Sequence, residues 1–305
     1  MIKRLVVLAL VVSGTLVACG KDDVRPSQSG EVITTTTTAA TATTVAPQPA
    51  ALTATEYSYA GTNLTFKPGP VAVTVTNNGK EEHQATIVRF KEGKTIADLG
   101  AVAASDPGKL ETVIDVFGGP NAVAPGGGSV TATQTLGVGD YFFMCFIPAP
   151  DGQPHAAKGM VAPFKVEGEA EGPTTANAEN TVSLKEYAFG AEGATADANA
   201  KPEKPIAVKA GVTTIANEGE QLHEAAIYKP AAGKTAKDVI EYFKQQNPTG
   251  PPPVIPSGGV SALDPGTSAT TTLTAGDYVF ICFLPDESDG APHFTKGMIQ
   301  AVTVS

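Results

Sequence analysis

Four histidines occur in the 305-residue chain, and all of them fall into two matching sets with a cysteine and a methionine. His83 precedes Cys145, His155 and Met160; His223 precedes Cys282, His293 and Met298. Nine residues separate Cys145 from His155, ten separate Cys282 from His293, and four separate each second histidine from its methionine. Two imidazoles and a thiolate are strong donors in a trigonal plane, and a thioether is a weak axial one. That set suits copper held for single-electron transfer. One type 1 ion per set is the expectation, with the eight residues as metal ligands.

Three ligands on one short loop, with the fourth far upstream, call for a frame that pins two layers together at one end. The elements around the ligands read accordingly. Val71, Val73 and Val75 alternate with smaller or polar residues, the period of a half-buried strand. Tyr141 to Phe146 and Tyr278 to Phe283 are short apolar, aromatic-rich runs, as in buried sandwich strands. Phe143, Phe146, Phe280 and Phe283 are placed to wall the sulfur ligands or simply to pack the core. One stripe departs from this pattern. Leu110, Val113, Ile114 and Phe117 recur at helical spacing between Asp106-Pro107 and Gly118, predicting a helix. Val239, Ile240 and Phe243 predict its partner, ended by Pro248.

The ligand sets recur because the folded region is an internal repeat. Val73-Thr-Val-Thr-Asn77-Asn-Gly79 answers Thr213-Thr-Ile-Ala-Asn217-Glu-Gly219, each four residues before a histidine. Gly93-Lys-Thr95 answers Gly233-Lys-Thr235, and Lys158-Gly-Met160 answers Lys296-Gly-Met298. The strand Gly139-Asp-Tyr leading to Cys145 answers Gly276-Asp-Tyr leading to Cys282. The expected domains are 53–167 and 181–305, joined by an acidic small-residue linker over 168–180. The fold class is all-β: two tandem β-sandwiches, each with a short helical insertion.

On these motifs the chain resembles the cupredoxin superfamily, the blue-copper proteins related to plastocyanin and azurin. Asn77-Asn78-Gly79 leading to His83 is similar to the family's strand end before its first copper histidine. Gly139-Asp140-Tyr141 leading to Cys145 is similar to its Gly-x-Tyr strand. The resemblance implies a Greek-key sandwich, copper on the imidazole Nδ1 atoms, and electron exit through the exposed edge of the second histidine, here His155 and His293. It departs from the family after the first histidine. Gln84 and Glu224 stand where the family often has an asparagine that braces the site. The long cysteine-to-histidine loop resembles the type 1 site of copper nitrite reductases. A catalytic copper centre needs imidazoles beyond these four, so an electron carrier, not an enzyme, is the expectation. Copper capture or delivery without a redox chain, and a metal-free binding module, are the alternatives.

The N-terminus reads as an export signal. Lys3 and Arg4 precede an apolar run from Leu5 to Ala18, too short to span a bilayer. Leu16-Val17-Ala18-Cys19 resembles a bacterial lipobox. It implies a signal peptide over 1–18, lipidation of Cys19, and an extracytoplasmic protein anchored to the cell membrane. Residues 19–52, rich in Thr, Ala and Pro, read as a disordered tether. Outside the cytoplasm Cys145 and Cys282 could also pair as a disulfide. The net charge of −10 excludes nucleic acid as a partner and suits a basic redox protein or a copper donor or acceptor, or serves solubility alone.

Overall fold

The computed structural model describes residues 45–170, 178–191, 196–199 and 201–305. Cys19, the signal peptide and most of the expected tether lie outside the described residues. The first domain comprises β1 (Gln48–Thr55), β2 (Ser58–Ala60), β3 (Thr65–Phe66), β4 (Gly69–Asn77), β5 (Thr86–Phe90), α1 (Ile96–Ser105), β6 (Ile114–Val116), β7 (Gly128–Leu136), β8 (Gly139–Met144) and β9 (Val161–Val166). The second repeats the plan: β10 (Asn180–Lys185), β11 (Ala188–Ala191), β12 (Ile206–Val208), β13 (Gly211–Asn217), β14 (His223–Pro230), α2 (Ala236–Phe243), β15 (Val254–Leu263), β16 (Ser268–Leu273), β17 (Gly276–Ile281) and β18 (Ile299–Val304). The first strand begins at Gln48, so the last residues of the expected tether belong to the sheet.

The strands form two Greek-key sandwiches that share one layer. An eight-stranded sheet runs β11-β10-β13-β16-β7-β4-β1-β2, its halves joined where β16 pairs antiparallel with β7. The order β3-β9-β8-β5-β6 covers the first half and β12-β18-β17-β14-β15 the second. In β4 the alternation is realised: Val71, Val73 and Val75 are fully buried and meet Ile87, Tyr141, Phe143 and Phe164 from the facing sheet. Stacking of Phe143 on Phe164 at 4.3 Å adds to that core.

One helix is misplaced by periodicity. Its apolar stripe predicts a helix through Leu110–Phe117, but Pro107–Thr112 is a short 3₁₀ segment and Ile114–Val116 is strand β6. Val113, Ile114 and Val116 are buried in a cluster built from Val88, Leu99 and Met144 of their own domain and Leu222 and Ala262 of the second. The helix of this domain lies earlier, over Ile96–Ser105. Its start is set by a capping box in which Thr95 and Asp98 satisfy each other's backbone N–H groups. Thr235 and Asp238 build the same box for α2, which ends at Phe243, short of Pro248. The repeated Gly-Lys-Thr therefore marks both helix starts.

The domains meet through two equivalent loop-strand segments, 117–123 and 258–263. Gly118 N–H donates to Ala262 O (2.8 Å) and Gly258 N–H to Ala122 O (3.1 Å); Asn121 N–H donates to Gly259 O (3.3 Å) and Ser261 N–H to Gly119 O (2.9 Å). Equivalent residues Pro120 and Val260 pair with each other. The exchange is reciprocal, which makes the interface a pseudo-twofold one. Gly119 and Gly259 make it possible. At φ +127° and +122° each lies so close to a backbone oxygen (Ala85 and Ala225) that a Cβ would fall within 2.1 Å and 2.0 Å of it.

Candidate metal centres

Each domain brings its histidine–cysteine–histidine set together at one end of the sandwich. In the first, His83 Nδ1 and His155 Nδ1 are 3.1 Å apart, and Cys145 Sγ lies 3.9 Å and 3.3 Å from them. In the second, His223 Nδ1 and His293 Nδ1 are 3.1 Å apart, and Cys282 Sγ is 3.4 Å from His293 Nδ1. All six side chains are buried. Cys145 and Cys282 are free thiols in separate cores, so the disulfide alternative is not formed.

The same backbone frame holds both loops. The cysteine N–H donates to the methionine carbonyl (3.3 Å at Cys145, 3.1 Å at Cys282), and the methionine N–H donates to the second histidine's carbonyl (3.0 Å in each). The second histidine opens a 3₁₀ turn, His155–Lys158 or His293–Lys296, closed by a left-handed glycine. Met160 and Met298 are fully buried in the clusters that contain Cys145 and Cys282. Asn77 and Asn217 fasten the first histidine's loop. Asn77 Nδ2 donates to Glu81 O and Val123 O, and Asn217 Nδ2 donates to Gln221 O and Leu263 O, all at 2.8–2.9 Å.

The donor atoms fit a soft cation. Their separations are those of donors sharing one ion at bond lengths of about 2.0–2.3 Å. Burial and the neighbouring imidazole hold His83 and His293 down to about 4, so these rings are neutral and carry free lone pairs. Burial pushes the Cys145 thiol up to about 12 and raises Cys282 too, so a bound cation must displace a proton from sulfur. Two imidazoles and a buried thiolate beside a thioether are soft donors that favour copper over hard cations.

The surroundings correct one expectation. The side chains of His155 and His293 have no exposed edge. Tyr57 stands edge-on to His155 at 5.1 Å and Tyr187 edge-on to His293 at 5.6 Å. Of the four phenylalanines, Phe143 and Phe280 share a core with the sulfurs, while Phe146 and Phe283, just past the strand ends, pack in separate clusters. Lys158 and Lys296 are engaged: Lys158 pairs with Asp151 above the Tyr57 ring, and Lys296 pairs with Asp286 and Asp289 above Tyr187.

Acidic residues invisible as a motif complete the sites. His155 Nε2–H donates to Glu81 Oε2 at 2.9 Å, and Tyr57 OH donates to the other oxygen at 3.3 Å. In the second domain Glu186 stands 3.4 Å from His223 Nε2, and Asp286 lies 3.8 Å from His293 Nε2. Burial works to raise the Asp286 carboxyl, but Lys296, Ser288 and Tyr187 hold it far below the usual range. The repeated Glu56-Tyr57 and Glu186-Tyr187 pairs were the available sequence signal. After the first histidine, Gln84 turns to Thr86 (3.1 Å), whereas Glu224 accepts from Phe283 N–H (3.1 Å), directly beyond Cys282.

No family model and no curated protein matches the chain. Among solved structures, a reduced auracyanin from the photosynthetic bacterium Roseiflexus castenholzii is 25% identical over 41% of this chain and 100% of its own, with a TM-score of 0.27. Auracyanin A, a "blue" copper protein from Chloroflexus aurantiacus, is 20% identical over 40% of this chain and 100% of its own, TM-score 0.31. A copper nitrite reductase from Nitrosomonas europaea is 15% identical over 85% of this chain and 94% of its own, TM-score 0.24. These scores are low, and the assignment of fold rests on the sheets and donor groups above. Repeat, layer order and donor geometry together give the chain a cupredoxin-like fold in two tandem domains.

Proposed function

We propose that the protein carries single electrons through one type 1 copper ion in each domain. His83, Cys145, His155 and Met160 would hold the first ion; His223, Cys282, His293 and Met298 the second. The single observation that carries this reading is the convergence of three buried donors in each domain, 3.1–3.9 Å apart in the first. Copper in such a set supplies a one-electron couple. The chain's own residues do the rest. The backbone ties between cysteine, histidine and methionine fix the donors, and the apolar cores around the sulfurs exclude water and tune the site. Glu81, its side chain 26% exposed, bonds the buried His155 ring and offers a hydrogen-bonded way from the first site to the surface. All four histidines of the sequence are engaged in the two sites.

The lipobox resemblance at Cys19 supports a place outside the cytoplasm, tethered to the cell membrane, and the net charge of −10 suits a basic redox protein as partner. Among the described residues no helix is long and apolar enough to cross a membrane. Copper capture or delivery is a second reading, favoured by the complete burial of His155 and His293. Voltammetry of the copper-loaded chain separates the two. A carrier gives fast, reversible one-electron waves. Sluggish, irreversible waves with ready loss of copper to a chelator would replace carriage by delivery.

A further inference from the structure

The pseudo-twofold interface does not treat the two sites alike. Asn121 and Ser261 occupy equivalent places: Val123 pairs with His83 as Leu263 pairs with His223, and each residue lies two positions earlier. Asn121 is 2% exposed. Its Nδ2 crosses the domain boundary to donate to Glu224 Oε2 at 2.9 Å, and its Oδ1 accepts from Ala122 N–H at 2.9 Å. Glu224 follows His223 in sequence, and its other oxygen accepts from Phe283 N–H, the amide beyond Cys282. One carboxylate thus links the first histidine's strand to the cysteine's loop, and its conformation is set from the neighbouring domain. The reverse link is missing. Ser261 Oγ is buried with no partner, and Gln84 bonds within its own domain to Thr86.

We infer that Asn121, in the first domain, is a positioning residue for the metal site of the second domain. The inference rests on the reading that the donor groups hold copper, and deepens it: the residue after the second site's first histidine is braced from the neighbouring domain, while its counterpart Gln84 in the first domain is not. Glu224 is buried and takes one donor on each oxygen, from Phe283 and Asn121, so losing Asn121 leaves Oε2 without its partner. A supporting group of this kind orients ligands without touching the ion, and its loss typically lowers metal affinity by about tenfold or more.

The test uses the full chain with one site silenced and Cu(II) as the probe. In a Cys145→Ser background, where only the second site can give a thiolate-to-copper band, Asn121→Ala should shift that band and weaken Cu(II) binding by about tenfold. In a Cys282→Ser background the same substitution should leave the first site's band and affinity where they were. A second-site band and affinity indifferent to residue 121, or equal changes in both backgrounds, would overturn the inference. Should Asn121→Ala not fold, the brace can be transplanted. Gln84→Glu with Ser261→Asn, in the Cys282→Ser background, should shift the first site's band and tighten its binding; no change would count against the idea. No band at all in the Cys145→Ser parent defeats the copper reading, and this inference with it. A normal band that ignores Asn121 defeats the inference alone.

Discussion

His155 donates its outer nitrogen to Glu81 at 2.9 Å, whereas His293 stands 3.8 Å from Asp286, beyond hydrogen-bond reach. The bond fixes the His155 tautomer, leaving its Nδ1 lone pair aimed at His83 and Cys145. Removing it should loosen the first site. Glu81→Ala is expected to lower the copper affinity of the first site by about 10–100-fold and to leave the second unchanged. Competition with a chelator in single-site variants reads this directly, and equal affinities would show that Glu81 only covers the ring.

Metal uptake should release protons from sulfur. With the Cys145 thiol pushed up to about 12, the folded protein holds that proton throughout the neutral range. At pH 8 imidazoles are neutral, so each bound ion should release close to one proton and affinity should rise about tenfold per pH unit. Calorimetry in buffers of different ionisation enthalpy counts the protons. A count near zero would mean that the thiol is not a ligand.

Gly79 is chosen for space, not for backbone freedom. A Cβ there would meet Glu56 Oε1 at 2.5 Å and His83 Nε2 at 3.0 Å; the equivalent Gly219 would press on His223 Nε2 at 2.7 Å. Gly79→Ala should therefore cost about 1–3 kcal/mol of stability and displace the His83 ring. Urea unfolding of the metal-free protein checks the first effect, and the first site's copper band checks the second. Unchanged stability would contradict the close fit.

Asp264 makes the interface pH-sensitive. Its carboxylate accepts from Val116 N–H of the other domain at 3.0 Å, and burial raises it to about 6, above its ordinary 3.8. Between those values the folded chain keeps a proton that the unfolded chain has lost. Stability attributable to this group therefore declines as pH rises from about 4 to about 6. Asp264→Asn has no proton to lose and keeps an acceptor for Val116. It should remove that slope and stabilise the protein at pH 7 by about 1 kcal/mol, allowing for screening by water. Unfolding midpoints at pH 4 and pH 7 would reveal an unaltered slope if the assignment is wrong.

The repeat and the ligand sets were legible because both are local patterns copied twice. Asn77-Asn-Gly79 and Asn217-Glu-Gly219 mark the loops that hold the first histidines, and the alternation of Val71, Val73 and Val75 marks the strand before one of them. The helical stripe from Leu110 to Phe117 misled because most of its residues pack among Val88, Leu99 and Met144 of their own domain and Leu222 and Ala262 of the other, contacts distant in sequence. The covering of His155 and His293, and the reach of Asn121 to Glu224, depend on pairings between segments distant in sequence, which no period encodes.

Copper titration of the full chain, with the thiolate-to-copper band followed against added Cu(II), tests the central claim most directly. Two soft-donor sites predict an intense band that saturates at two ions per chain. Cys145→Ser or Cys282→Ser should each remove one ion and part of the band, and the double variant all of it. A chain that takes up Cu(II) without such a band, or whose band survives loss of both cysteines, would contradict the account.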